Sequence, residues 1–294
     1  MRLDDEKSSS NVEDRRGQGG GFGRGGIRVP MGRRGGGGIG IGTIIILGIL
    51  WLVFGINPLD MLSGNLSPQQ QQTQQVPQSP SGTGTATNDE WGQFAGKVLG
   101  TTERTWTRIF QENGRVYQAP RLVLFSGFVQ SACGNAQSAM GPFYCPRDSK
   151  VYIDLTFFQD MRAKLGAGGD FAYAYVIAHE VGHHVQNQLG IADKVLAARM
   201  RSPQEVANQL SVRMELQADC FAGVWARDNK HLLEEGDIEE GLNAASAIGD
   251  DRLQRRSQGY VVPESFTHGT SEQRMSWLKR GIDTGSISAC DTFS

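Results

Sequence analysis

His179, Glu180 and His183 stand in the run His-Glu-Val-Gly-His, and on a helix residues four apart share one face. Both imidazoles can therefore reach one metal ion, while Glu180 is turned about 100° away, beside an open coordination position. That is the arrangement for a carboxylate that takes a proton from a water molecule. A catalytic zinc takes three protein ligands, so a third must come from elsewhere in the chain. Glu215, in Glu-Leu-Gln-Ala-Asp, is the candidate, and Asp219 lies one turn beyond it on the same face. Asp219 suits the outer N–H of a ligating histidine, whose tautomer it would fix, although it could also ligate in place of Glu215. His184 is five residues from His179 and off the metal face, which makes it an ordinary packed histidine.

A five-residue HExxH match arises by chance, and its surroundings give it weight. Phe171 to Ala178 are apolar or aromatic, and Gln204 to Asp228, with no Gly or Pro before Gly223, reads as the helix that carries Glu215. The set of HEVGH and a later ELQAD resembles the gluzincin class of metallopeptidases. The run from Cys133-Gly134 through Tyr144-Cys145-Pro146 to Val151–Leu155 resembles the bacterial neutral zinc metallopeptidases, over roughly residues 89–294. The resemblance implies a zincin-like fold, Zn2+ held by His179, His183 and Glu215, Glu180 as general base, and Asp219 behind a histidine. It implies no particular substrate.

Composition divides the chain. Residues 1–38 are rich in Gly, Ser and charge, with eight Lys or Arg against five acids, a net of +3, and predict a disordered tail. With an overall charge of −2, the remainder carries −5. Residues 39–56 hold no charge and are rich in Ile and Leu, about the minimum for one transmembrane helix. Arg28, Arg33 and Arg34 precede this span and only Asp60 follows closely, so the arginine bias predicts a cytoplasmic N-terminus and a periplasmic or extracellular domain. Residues 57–88, with Gln69–Gln72, Pro77 and Pro80, read as a linker. The lipid bilayer is thus an expected partner. The arginine and glycine tract abuts the apolar span, which argues for topology or anionic lipid rather than nucleic acid.

The four cysteines fall beyond the span, as an oxidising compartment would allow. They permit three connectivities. Cys133 with Cys145 would close a short loop and Cys220 with Cys290 would fasten the C-terminus, although Cys220 could also be a buried thiol. The spacing lacks the paired CxxC units of a cysteine zinc site.

Periodicity places helices at 89–112, 171–188, 204–228, 238–255 and 271–280, with a short piece at 158–164. Arg121–Phe125 reads as a strand. In Lys150–Thr156, Val151, Ile153 and Leu155 alternate with Tyr152, Asp154 and Thr156, as in a strand with one buried face. By the resemblance this strand borders the cleft and could bind an extended peptide by strand addition. The class is α+β, mostly helical with a small sheet. The chemistry expected is hydrolysis of a peptide or protein substrate by zinc-activated water, with His268 or Tyr260, in the loop before the last helix, stabilising the oxyanion. The alternative is a membrane-tethered scaffold with zinc but no peptidase activity. Three ligands with a glutamate beside them favour the open catalytic site, since structural zinc takes four.

Overall fold

The computed structural model describes residues 1–17 and 89–294. Its sheet has the order β1 (Val12–Asp14), β2 (Arg121–Phe125), β6 (Lys150–Asp154), β5 (Phe143–Cys145), with the first three strands parallel and β5 antiparallel to β6. A separate hairpin pairs β3 (Phe128–Ser131) with β4 (Gly134–Gln137). The helices are α1 (Glu90–Glu112), α2 (Thr156–Asp160), α3 (Asp170–Gln188), α4 (Ile191–Arg199), α5 (Gln204–Asp228), α6 (Asp237–Ala247), α7 (Asp250–Gln258) and α8 (Ser271–Thr284). The described residues thus form an α+β structure, mostly helical with a small sheet.

The sheet is buried on both faces. Leu122, Leu124, Val151 and Ile153 enter the main core with α3 and α5, whereas Val123, Phe125 and Tyr152 lie against Val129 and Ala136 of the hairpin. The one-faced burial read from β6 is therefore incomplete, because the hairpin covers the second face, as parallel strands require. The strand also ends at Asp154. That carboxylate accepts N–H bonds from Gly127 (2.8 Å) and Thr156 (3.0 Å) and the Ser138 hydroxyl, tying the hairpin to the start of α2.

Two bridges fix the periphery: Cys133–Cys145 holds the hairpin turn to β5, and Cys220–Cys290 holds the C-terminal segment to α5. Close to the second bridge α5 and α8 meet backbone to backbone. A Cβ on Gly281 would lie 2.0 Å from the Cys220 carbonyl oxygen, and one on Gly223 2.2 Å from that of Leu278. Glycine at this crossing lets the two helices come close enough for their side chains one and two turns away to touch. The single helix expected at 238–255 is two, α6 and α7, broken around Gly249, where a Cβ would meet the Ser271 backbone at 2.3 Å.

Of the tail expected at residues 1–38, residues 1–17 are ordered against the domain, and residues 18–38 lie outside the described residues. Composition argues that residues 1–38 build no core of their own, and residues 1–17 use that of the domain: Met1 and Leu3 are buried in it, and β1 adds to the β2 edge. The Met1 amino group lies 2.6 Å from Asp170, 3.2 Å from Asp237 and 3.3 Å from Glu234. Among the described residues no helix is long and apolar enough to cross a membrane. The span at 39–56 and the linker at 57–88 lie outside the described residues.

Candidate active site

Helix α3 passes through the core with nearly every side chain covered, because its residues from Phe171 to Val181 are apolar, aromatic or small apart from His179 and Glu180. It crosses α5 at Gly182, where a Cβ would stand 3.0 Å from the Ala218 carbonyl oxygen. The small residue inside the HEVGH run therefore admits the second helix to the first. That crossing puts Glu215 opposite the two histidines.

The three side chains converge. Glu215 Oε2 is 3.2 Å from His179 Nε2, and Oε1 is 3.4 Å from His183 Nε2. Each histidine is held from behind by its other ring nitrogen. His179 Nδ1 donates to Asp219 Oδ1 at 2.7 Å, and His183 Nδ1 donates to Gln186 Oε1 at 2.9 Å. Both Nε2 atoms are thereby left as acceptors, the form that binds a metal. His179, His183 and Glu215 offer three donor atoms within 4.8 Å of one another, a fit to one divalent cation and, with two imidazoles and a carboxylate, to zinc. The other cluster of this kind among the described residues, Asp170, Asp237 and Glu240, offers carboxylates alone and lies around the Met1 amino group.

Asp219 is fully buried and has more than a histidine to serve. It accepts from Tyr175 Oη at 2.6 Å and from Arg274 Nε and Nη2, both at 2.9 Å. Burial alone would raise its carboxyl, but the Arg274 guanidinium and His179 outweigh it and hold the value at about 2. Arg274 comes from α8, whose start is fixed by a capping box of Thr270 and Gln273. Gln186 is anchored in turn, donating to the Met214 carbonyl at 2.7 Å and to Gln217 Oε1 at 3.1 Å.

Arg274, Tyr175 and Gln186 are absent from the sequence reading. Tyr175 and Gln186 stand one turn before His179 and three residues after His183, positions from which a partner can be sought. Nothing local marks Arg274, which reaches the site through the α5–α8 crossing.

A cleft of about 840 Å³ runs past these residues and is lined by Glu180, His179, His183 and Glu215. Burial pushes the Glu180 carboxyl up, against the pull of His183 and His179. His268 also lines the cleft, its loop clamped by Asp250, which accepts N–H bonds from Thr267, His268 and Gly269 and faces His268 Nδ1 at 3.2 Å. Tyr260 does not share that position: its side chain is outside the lining and 62 % exposed, past the turn at Gly259. His184 is buried apart from the His179, His183 and Glu215 cluster, donating from Nε2 to the Gln118 carbonyl (2.6 Å) and accepting from the Tyr144 hydroxyl (2.9 Å). The rim is Met140, Phe143 and Tyr144. Here the strand expectation is corrected: β6 is paired on both sides, and the strand beside the cleft whose second edge is unpaired among the described residues is β5.

The model of one family, described as "Putative neutral zinc metallopeptidase", matches residues 1–293. The chain belongs to that family. Similar to this metallopeptidase-family chain is the uncharacterized protein YpfJ of Escherichia coli K12, 51 % identical over 300 residues, covering all of this chain and 99 % of the relative. The uncharacterized protein Mb2605 of Mycobacterium bovis is 46 % identical over 191 residues, 60 % of this chain and 64 % of that one. No solved structure matches. The family match takes in residues 1–17 together with the two-histidine helix, so the docked segment falls inside the family unit.

Proposed function

We propose that this chain is a zinc-dependent endopeptidase acting on peptide or protein substrates. The observation that carries the reading is the convergence of His179 Nε2, His183 Nε2 and Glu215 on one point, with Glu180 at the cleft beside it. Bound there, zinc supplies Lewis acidity that makes water more acidic and polarises a substrate carbonyl. Glu180 accepts the proton of the attacking water and returns it to the leaving amine, and its burial, which raises the carboxyl, suits both transfers. An extended substrate pairs with that second edge of β5 and passes over Phe143 and Tyr144. His268, oriented by Asp250, donates a hydrogen bond to the oxyanion. The two disulfides favour an oxidising compartment, and a bilayer anchor at residues 39–56 would hold the peptidase at its membrane.

The test uses the full chain purified with its metal, assayed on a mixture of unfolded proteins. Glu180→Gln removes the acceptor and leaves all three ligands, so zinc content and fold should be unchanged while cleavage falls by at least ~10²-fold. Equal cleavage by the two proteins would refute the mechanism. Zinc binding with no cleavage by either would favour the scaffold.

A further inference from the structure

Residues 1–17 lie in a groove formed for them. On α1, a Cβ on Gly96 would meet Ser8 Oγ at 2.1 Å and one on Gly100 the Lys7 carbonyl oxygen at 2.6 Å, so the segment passes where any larger residue would stop it. Main-chain bonds run from Ser9 N to Gly96 O (2.9 Å), Leu122 N to Asn11 O (2.9 Å) and Arg15 N to Leu124 O (2.8 Å). Glu103 of α1 accepts from Ser9 Oγ at 2.6 Å and from Asn11 Nδ2 at 2.8 Å, and Lys150 of β6 pairs with Glu13 at 2.9 Å. Without this segment β2, buried along Leu122–Phe125, would be an open apolar edge.

The end of this segment also meets the start of α1. Arg16 Nη2 is 2.5 Å from Asp14 and 2.5 Å from Asp89, and Asp89 is the N-cap of α1, accepting from Gly92 N at 2.9 Å. Arg16 and Asp89, 73 residues apart in the chain, are therefore in direct contact. An apolar stretch of 18 residues is long enough for one passage through a bilayer, about 27 Å as a helix, and too short for two. One passage would set Arg16 and Asp89 on opposite sides of the membrane, along with the two partners of every contact named above between residues 1–17 and residues 89–294.

We propose that the groove along α1 and the β2 edge is the permanent seat of the chain's own residues 1–17, and that this segment stands on the same side of the membrane as the catalytic domain. The N-terminus is then not the cytoplasmic tail that the arginine bias suggests. This inference is independent of peptidase activity.

The test uses full-length protein in intact cells. Ser8→Cys with Gly96→Cys would bring the two Cβ atoms to about 3.5 Å, within disulfide range, and the four native cysteines are already paired. Oxidation should close the new bridge and change electrophoretic mobility until reductant is added. Two free thiols after oxidation would overturn the docking. Because the double variant alters a tight contact, exposed positions give a second measurement: Ser10→Cys and Met200→Cys, singly, should react alike with a membrane-impermeant maleimide before lysis. Labelling of one and protection of the other would place the two parts on opposite sides and overturn the proposal.

Discussion

The floor of the cleft and its rim are built by different physics. On the floor, Asp219, Tyr175 and Arg274 are buried to within a few per cent and satisfy one another, so the histidines rest on a closed polar network. On the rim, Met140, Phe143 and Tyr144 follow the β3–β4 hairpin, which is held by Cys133–Cys145 and by Asp154, and Met140 is 51 % exposed. A floor that fixes ring nitrogens tolerates little displacement, whereas a rim presenting apolar surface can yield while the metal stays. If this contrast is right, floor variants should lose fold and zinc together and rim variants should keep zinc.

The largest effect is expected from Arg274→Ala, which strands the Asp219 carboxylate in a buried site. Removing one partner of a buried pair costs about 3–5 kcal/mol, so the denaturation midpoint should fall steeply and zinc content with it. A loss below about 1 kcal/mol would show that the floor is not a closed network. Gln186→Ala should come next. It frees His183 Nδ1 from its acceptor, and loss of such an outer partner weakens metal binding about 10- to 100-fold, read by competition with a chelator. Unchanged affinity would mean that the His183 tautomer is set without it.

Asp154→Asn, under the hairpin, should have the smallest effect on the metal. Burial opposes the charged form of Asp154, but Ser138 and the N–H groups of Gly127 and Thr156 prevail, and its carboxyl lies below the ordinary value of 3.8. A lowered carboxyl stabilises the fold fully above about pH 4 and loses that contribution as pH falls through the folded value. Asn should therefore cost about 1.5–3 kcal/mol at pH 7, converge with the wild type only once the pH has fallen below the folded value of Asp154, and leave zinc content unchanged. A gap that persists at low pH would mean that shape rather than charge holds the hairpin.

Much of this was legible in residue order. The period of 3.6 located α3 and α5, and four-residue spacing put His179 with His183 and Glu215 with Asp219, because a helix face is a local property of the chain. The strand Arg121–Phe125 and both disulfides agree with the reading as well. Short strands did not announce themselves: β5 has three residues, too few for alternation to count, and the strand addition that the resemblance implies falls on Lys150–Thr156 instead. The first 17 residues misled because polar composition shows only that a segment lacks a core of its own.

The sequence by itself determined which side chains could meet one metal ion, since their spacing within each helix is fixed by backbone geometry. The tertiary structure alone decided that the two helices meet, that Arg274 arrives from α8 to neutralise Asp219, and that His268 rather than Tyr260 reaches the cleft. Those outcomes depend on crossings at Gly182 and at Gly223 with Gly281, where the absence of a side chain matters only once another backbone arrives to occupy the space.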